Sequence, residues 1–318
     1  MLKLLHEVGR SVAVLHDNAL LFVYRYGAGW PKPHFHPLYA PDSTRVLTLH
    51  APHDYVHHRG LMWSFGRVAP QDRPDEWVNF WEERVRECDE ESRVCWPHPL
   101  EAERRGVIRH TGFDLMEPGR ERAILVANHE WRRASDERVL LTQRQTVTAY
   151  PKTEQGWFFD LQFDLRAATE PMLLSPLPAG DNLYSKTPYG LACQFSRELN
   201  NGVFLSSTGE SGACCNNSAN WCDYSSPLDD DETHHERHGG WVGLTVMNHP
   251  GNPRHPSAFC ALTGGTTLLS ATPLQSEPML VSAQAARTFR YRIFAHHGRG
   301  NASTLQEQYD AFAQDKAD

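Results

Sequence analysis

Trp157-Phe158-Phe159-Asp160-Leu161-Gln162-Phe163-Asp164-Leu165 sets Phe159, Leu161, Phe163 and Leu165 against Asp160, Gln162 and Asp164. An apolar residue at every second position is the period of a strand buried on one face. Outward from this stretch, short runs rich in Val, Leu, Phe and Tyr recur at 12–15, 20–26, 46–49, 107–115, 123–127 and 139–150 on the N-terminal side. They continue at 191–195, 203–206, 241–247, 266–269 and 288–296. Turn residues separate them, and His16-Asp17-Asn18 fits a hairpin turn between the first two. Two segments read as helical. Residues 75–85 are loosely amphipathic, while 303–317 open with Ser303 and Gln306 in capping-box spacing and then set Leu305, Tyr309 and Phe312 on one face, as a C-terminal lid or brace would. So many strands against so few helical patterns predict an all-β chain. With no internal repeat and no linker in view, residues 1–318 read as a single β-sandwich domain.

The chain has 318 residues, 40% hydrophobic and 22% charged, which suits a protein that buries a core and excludes disordered and fibrous classes. Its net charge is -8, without a Lys/Arg run, so the electrostatic footprint of a nucleic-acid binder is missing. The longest apolar run, Ala19 to Tyr24, is far too short to cross a bilayer as a helix. Residues 1–5 lack the apolar region and cleavage site of a secretory signal, so a cytoplasmic location is expected. The 7 cysteines are odd in number and form no CxxC pair, which predicts reduced, structural thiols.

Histidine is the outlier: the chain holds 18, and His34, His36, His50, His53, His57 and His58 fall within one short stretch. Five of them, all but His50, belong to Lys32-Pro33-His34-Phe35-His36-Pro37-Leu38-Tyr39 and Pro52-His53-Asp54-Tyr55-Val56-His57-His58-Arg59-Gly60, two segments whose prolines and glycine read as loops at strand ends. A second patch, Asn248-His249-Pro250-Gly251-Asn252-Pro253-Arg254-His255-Pro256, follows the apolar run at 241–247. Trp221-Cys222-Asp223-Tyr224 brackets a carboxylate with aromatic residues. The mixed-charge run from Asp229 to His238 has metal-binding residue types but no apolar anchor, and reads as a solvated loop.

The motifs at 32–39, 52–61, 221–224 and 248–256, in this chain order, resemble a bacterial family labelled "methane oxygenase PmoA", over about Pro31 to His297. The resemblance implies a large antiparallel sandwich similar to the galactose mutarotase-like supersandwich, and a role beside sugar oxidoreductases and isomerases. The family pattern lands on His36, Asp54, His57, His58, Arg59, Trp221, Asp223, His249, Asn252, Arg254 and His255. The chain departs from it at His34, where an aromatic residue is expected, and at Ser226, where glycine is usual.

Three functions are open. The first is a carbohydrate-active enzyme performing epimerisation, elimination or hydrolysis by acid–base chemistry, which needs one group to give a proton and another to take one; His suits this near neutral pH. Its catalytic set is His36, Asp54, His57, His58, Asp223 and His255, with Lys32, Arg59, Trp221, Tyr224, His249, Asn252 and Arg254 binding a small-molecule carbohydrate. The second is metal-dependent chemistry at His36, His57 and His58, with His255 or Asp54 in support. Neighbours on a strand point to opposite faces, so His57 and His58 reach one ion only where the backbone turns. No organic cofactor is implied, and a divalent metal is the one possible addition. The third is a non-catalytic sugar-binding module, which leaves the histidine excess unexplained. In the first reading, the residues of both patches converge on one concave face.

Overall fold

The computed structural model describes residues 1–318 except 43–44, 89–94, 100, 177–188, 210–211, 213, 229–239, 264–265, 275–276 and 316–318, and describes the backbone alone at 84–88, 95–99 and 214–216. The run Asp229 to His238 lies outside the described residues. Strand makes up 53% of the structure and helix 6%, so the protein is an all-β sandwich with one C-terminal helix.

The nine-stranded sheet runs, in spatial order, Leu2–Glu7, Ser11–His16, Ala19–Arg25, His34–Leu38, Leu61–Ser64, Gly190–Gln194, Leu268–Thr272, Ala258–Leu262 and Cys214–Ser218. The eight-stranded sheet runs Val203–Ser206, Trp221–Pro227, Trp241–Asn248, Arg287–His297, Gly156–Ala167, Val139–Ala149, Ala123–Arg133 and Gly106–Glu117. All pairings within both sheets are antiparallel among the described residues.

The alternation at 157–165 has the predicted consequence. Trp157, Phe159, Leu161, Phe163 and Leu165 are buried against the other sheet, while Asp160, Gln162 and Asp164 turn away from it. Phe159 stacks on Phe22 (centroids 4.4 Å apart) and Phe163 on Trp63 (4.5 Å), so aromatic pairs tie the two sheets into one continuous core. Asp17, at φ +55°, makes the expected turn between Ser11–His16 and Ala19–Arg25.

Three elements differ from expectation. Residues 75–83 run in turns and isolated bridges, and Arg84–Cys88 is a strand, so the helix at 75–85 does not form. Asn79 is the cause: its side-chain Oδ1 accepts from the backbone N–H of Trp81 and Glu82, giving the chain a turn in place of helical bonds. Residues 34–38, expected as a loop, form a strand whose Phe35 packs into the core. Residues 46–49 make only isolated bridges. The C-terminal helix spans Ala302–Ala313, capped by Asn301, whose side chain accepts from the N–H of Ser303 and Thr304; Ser303 is therefore inside the helix. Leu305, Tyr309 and Phe312 cover Trp221, Met247 and Phe294 on the outer face of the eight-stranded sheet, a second apolar cluster separate from the main core. Among the described residues no helix is long and apolar enough to cross a membrane.

Candidate functional site

Side-chain alternation decides where the two patches go. Phe35 points into the core, so His34 and His36 project from the outer face of the nine-stranded sheet. On the eight-stranded sheet Cys222 and Tyr224 point inward, while Trp221 lies in the cluster beneath the C-terminal helix, which puts Asp223 on that outer face too. The two patches therefore occupy opposite outer faces, and the predicted single site does not assemble.

The first patch does converge. His50 stacks between His34 and His36, with ring centroids 4.9 and 5.2 Å away. Trp30 sets its edge against His34 and His50, and the Arg59 guanidinium lies 5.3 Å above its ring. Arg59 donates to both carboxylate oxygens of Glu83 (2.9 and 2.6 Å) and reaches His50 Nε2 at 3.5 Å. Beside these, Tyr55 stacks on His58 at 5.0 Å, His57 meets His58 edge-on at 4.4 Å, and His58 faces Trp81 at 6.0 Å. Lys32 is buried and donates to the Trp81 carbonyl. Gly60 holds the segment at a left-handed φ of +69°, where an added Cβ would collide with Phe35 O and His36 Cβ. Lys32, His34 and His58 form a buried inner row; His36, His50, His57, Tyr55 and Trp30 form a half-buried outer row that solvent reaches.

Burial biases three of these imidazoles toward the neutral form. Burial pushes His34 well below its ordinary range. Burial, with His50 and Arg25 adding to it, takes His36 to about 3; burial, with Arg59 and Arg25, takes His50 to about 4. Burial lowers Lys32 to about 7, against the opposing pull of Glu83. His34 Nδ1 lies 3.1 Å from the Lys32 carbonyl and must carry the proton; Nε2 is then a buried lone pair, with no partner among the described residues. Burial thus disfavours the charged forms of His34, His36 and His50 and leaves the Lys32 amine titrating near neutrality.

Asp54 stands apart from this cluster, 2.7 Å from Arg197 in a surface ion pair. Among the described residues no group of three His, Cys, Asp or Glu side chains is placed to hold a metal ion, and the set His36, His57, His58 forms none.

The second patch is a fastening for the C-terminal helix. Asn248 Nδ2 donates to His255 Nδ1 (3.2 Å), and His255 Nε2 meets the Tyr309 hydroxyl (3.3 Å). Asn252 donates to Asn248 Oδ1 and Arg290 O and accepts from Arg290 N. His249 packs edge-on against Phe312, and Arg290 donates to Asp315 O. Trp221 Nε1 donates to Gln306 (3.0 Å). Arg254 clamps a loop by donating to the carbonyls of Leu274, Glu277 and Pro278. Tyr224 is in the core between Phe195 and Phe204, its hydroxyl donating to Leu199 O and accepting from Gly202 N. Asp223 is fully buried; its Oδ1 accepts from Thr245 and His296 (both 2.8 Å), and Gly300 seals Oδ2, which has no partner among the described residues. Burial opposes charge on His296, but Asp223 and the backbone carbonyls of His297 and Gly298 outweigh it and raise its pKa.

A model built for one family matches residues 11–310. The chain belongs to DUF6807, a family of unknown function. Membership of DUF6807 brings no assigned chemistry, and no curated protein matches the chain. For this DUF6807 chain the functional reading therefore rests on the first patch. Several of its members, Trp30, His50, Glu83 and Gln194, were not singled out from the sequence. His50 carried a signal, as one of six crowded histidines. Glu83 was hidden in an expected helix, and Gln194 enters only through strand pairing.

Proposed function

We propose that the first patch is a proton-transfer site acting on a hydroxylated small molecule, a carbohydrate or carbohydrate derivative, in an epimerisation, elimination or hydrolysis. The observation that carries this reading is the meeting of His34, His36, His50 and His58 with Lys32 on one outer face, with His34, His36 and His50 held neutral by burial. A neutral imidazole takes a proton from carbon or oxygen, and an amine that titrates near 7 supplies one, the pairing acid–base catalysis requires. His58 and His36 are assigned as bases and Lys32 as acid. Trp30 and Tyr55 offer half-buried aromatic faces on which a sugar ring stacks. Arg59 is held by Glu83 and keeps the wall of the site in place.

The test is a panel of monosaccharides, their oxidised and phosphorylated derivatives, and disaccharides, assayed for turnover with thermal-shift binding in parallel. His58→Ala and His36→Ala should each lower turnover of the responding compound by about 100-fold or more, with melting temperatures within a few degrees of wild type, while His255→Ala keeps turnover within about tenfold. Saturable binding without turnover of any panel member would put the non-catalytic sugar module first. Loss of activity in His255→Ala alone would return the site to the other sheet.

A further inference from the structure

Gln194 ends the strand Gly190–Gln194, 2% exposed, on the same outer face as Ala192, beside the strand carrying Met62, whose own neighbour is His34. Its side-chain amide has one orientation open to it. Nε2 donates to two backbone carbonyls, Thr267 O at 3.1 Å and Phe195 O at 3.5 Å; turning the amide over would set its oxygen against both. Oε1 therefore points the other way, 2.7 Å from His58 Nδ1. A carbonyl oxygen only accepts, so the imidazole proton sits on Nδ1 and, in the neutral ring, the lone pair sits on Nε2.

The mounting is rigid. Gln194 N donates to Gly60 O, and Gln194 O accepts from Leu49 N, so the backbone of this residue also pins the chain on either side of the 50–59 segment. His34 has the same tautomer by another route, Nδ1 facing the Lys32 carbonyl. Two imidazoles of the inner row thus carry their protons on Nδ1, each fixed by an acceptor that does not rotate.

We propose that Gln194 is a positioning residue of the first patch: its side-chain carbonyl holds the His58 proton on Nδ1 and so makes Nε2 the basic atom of that imidazole. This rests on the proton-transfer reading for its purpose but not for its geometry. Without a fixed acceptor a neutral imidazole divides its proton between both nitrogens, and only one of the two forms has a base at Nε2.

The experiment is long-range nitrogen–proton NMR on the full chain labelled with 15N-histidine, which distinguishes bare from protonated ring nitrogens. His58 is assigned by the signal lost in His58→Gln. Wild-type protein should show His58 bare at Nε2 and protonated at Nδ1, from pH 7 to 8. Gln194→Met should give a mixed tautomer at His58 with the His34 signal unchanged. A wild-type His58 protonated at Nε2 overturns the proposal without any variant being made. So does a folded Gln194→Met whose His58 tautomer is unmoved. If the tautomer shifts as expected and turnover of the responding compound stays within about twofold, the positioning stands and it is the proton-transfer reading that fails.

Discussion

The two histidine-bearing patches are built from the same residue types, each follows or contains a run of prolines, and each lies on the outer face of one sheet. Their hydrogen bonds tell them apart. At His249, Asn252 and His255 the polar atoms are taken up by the C-terminal helix or by the strand 287–297, and Arg254 holds a neighbouring loop, which is what a fastening needs. In the first patch, among the described residues, His34 keeps a buried nitrogen without a partner, and Lys32 is taken out of water onto the Trp81 carbonyl. Groups that stay under-satisfied inside a protein are costly to keep, and functional sites are where such costs are found. Residue composition marked both patches as chemical; what separates them is that the polar atoms of His249, Asn252 and His255 are spent on the C-terminal segment and the strand 287–297, whereas the imidazoles of the first patch crowd against one another.

The sharpest way to break this contrast is to remove Asp223. Asp223→Ala leaves His296 buried without its partner and should cost about 3–5 kcal/mol of unfolding free energy in urea titration. A cost below about 1 kcal/mol would mean that the buried Asp223–His296 pair does not help hold that face of the sheet. Gly60→Ala tests the first patch, because a side chain at φ +69° and against Phe35 O must move the 50–59 segment. A destabilisation of about 1–3 kcal/mol is expected from the backbone strain, together with a loss of turnover larger than that stability change explains.

Acid and base should then move the first patch and the buried Asp223–His296 pair in opposite directions. His34, His36 and His50 have folded pKa values below the ordinary 6.5, so they stabilise the fold above that pH and the contribution is lost as pH falls from about 6.5 toward 4. A fully buried imidazole of this kind gives a slope of up to about 1.4 kcal/mol per pH unit. His296 is raised, so its contribution is complete below 6.5 and is lost as pH climbs through the folded value. Melting curves across pH 4–9 should therefore have a shallower acid limb in His34→Gln and a shallower alkaline limb in His296→Gln; the reverse assignment would contradict the burial argument. The smallest effect is expected at His36, half-buried with Thr48 as its hydrogen-bond partner at 2.9 Å, where His36→Ala should cost less than about 1 kcal/mol.

What the sequence disclosed follows the range of the interactions involved. The period-two run at 157–165, the turn at Asp17 and the helix face of Leu305, Tyr309 and Phe312 are set by neighbours within a few residues, and all three are seen. Crowding of His34, His36, His50, His57 and His58 was also local, and the structure brings those rings together. The helix expected at 75–85 failed because one side chain, Asn79, outbids the backbone for two N–H groups, a competition that apolar spacing does not report. Separation of the second patch from the first was invisible for a different reason. Which face of which sheet a side chain takes is settled by pairing between strands far apart in the chain, and the same holds for Gln194, whose link to His58 spans 136 residues.

The seam between Gly156–Ala167 and Arg287–His297, in the middle of the eight-stranded sheet, also has a meaning in time. A ribosome that has finished Ala167 still has roughly 120 residues to add before Arg287 exists, which at 5–20 residues per second is on the order of 6–24 s. Over that interval the strands 106–117, 123–133, 139–149 and 156–167 are paired in sequence order but end in an open hydrogen-bonding edge, the alternating face of Phe159, Leu161 and Phe163 beside it. Such an edge is a template for any other extended chain. In the finished fold that edge is closed by Arg287–His297, among the described residues the last strand of the sandwich.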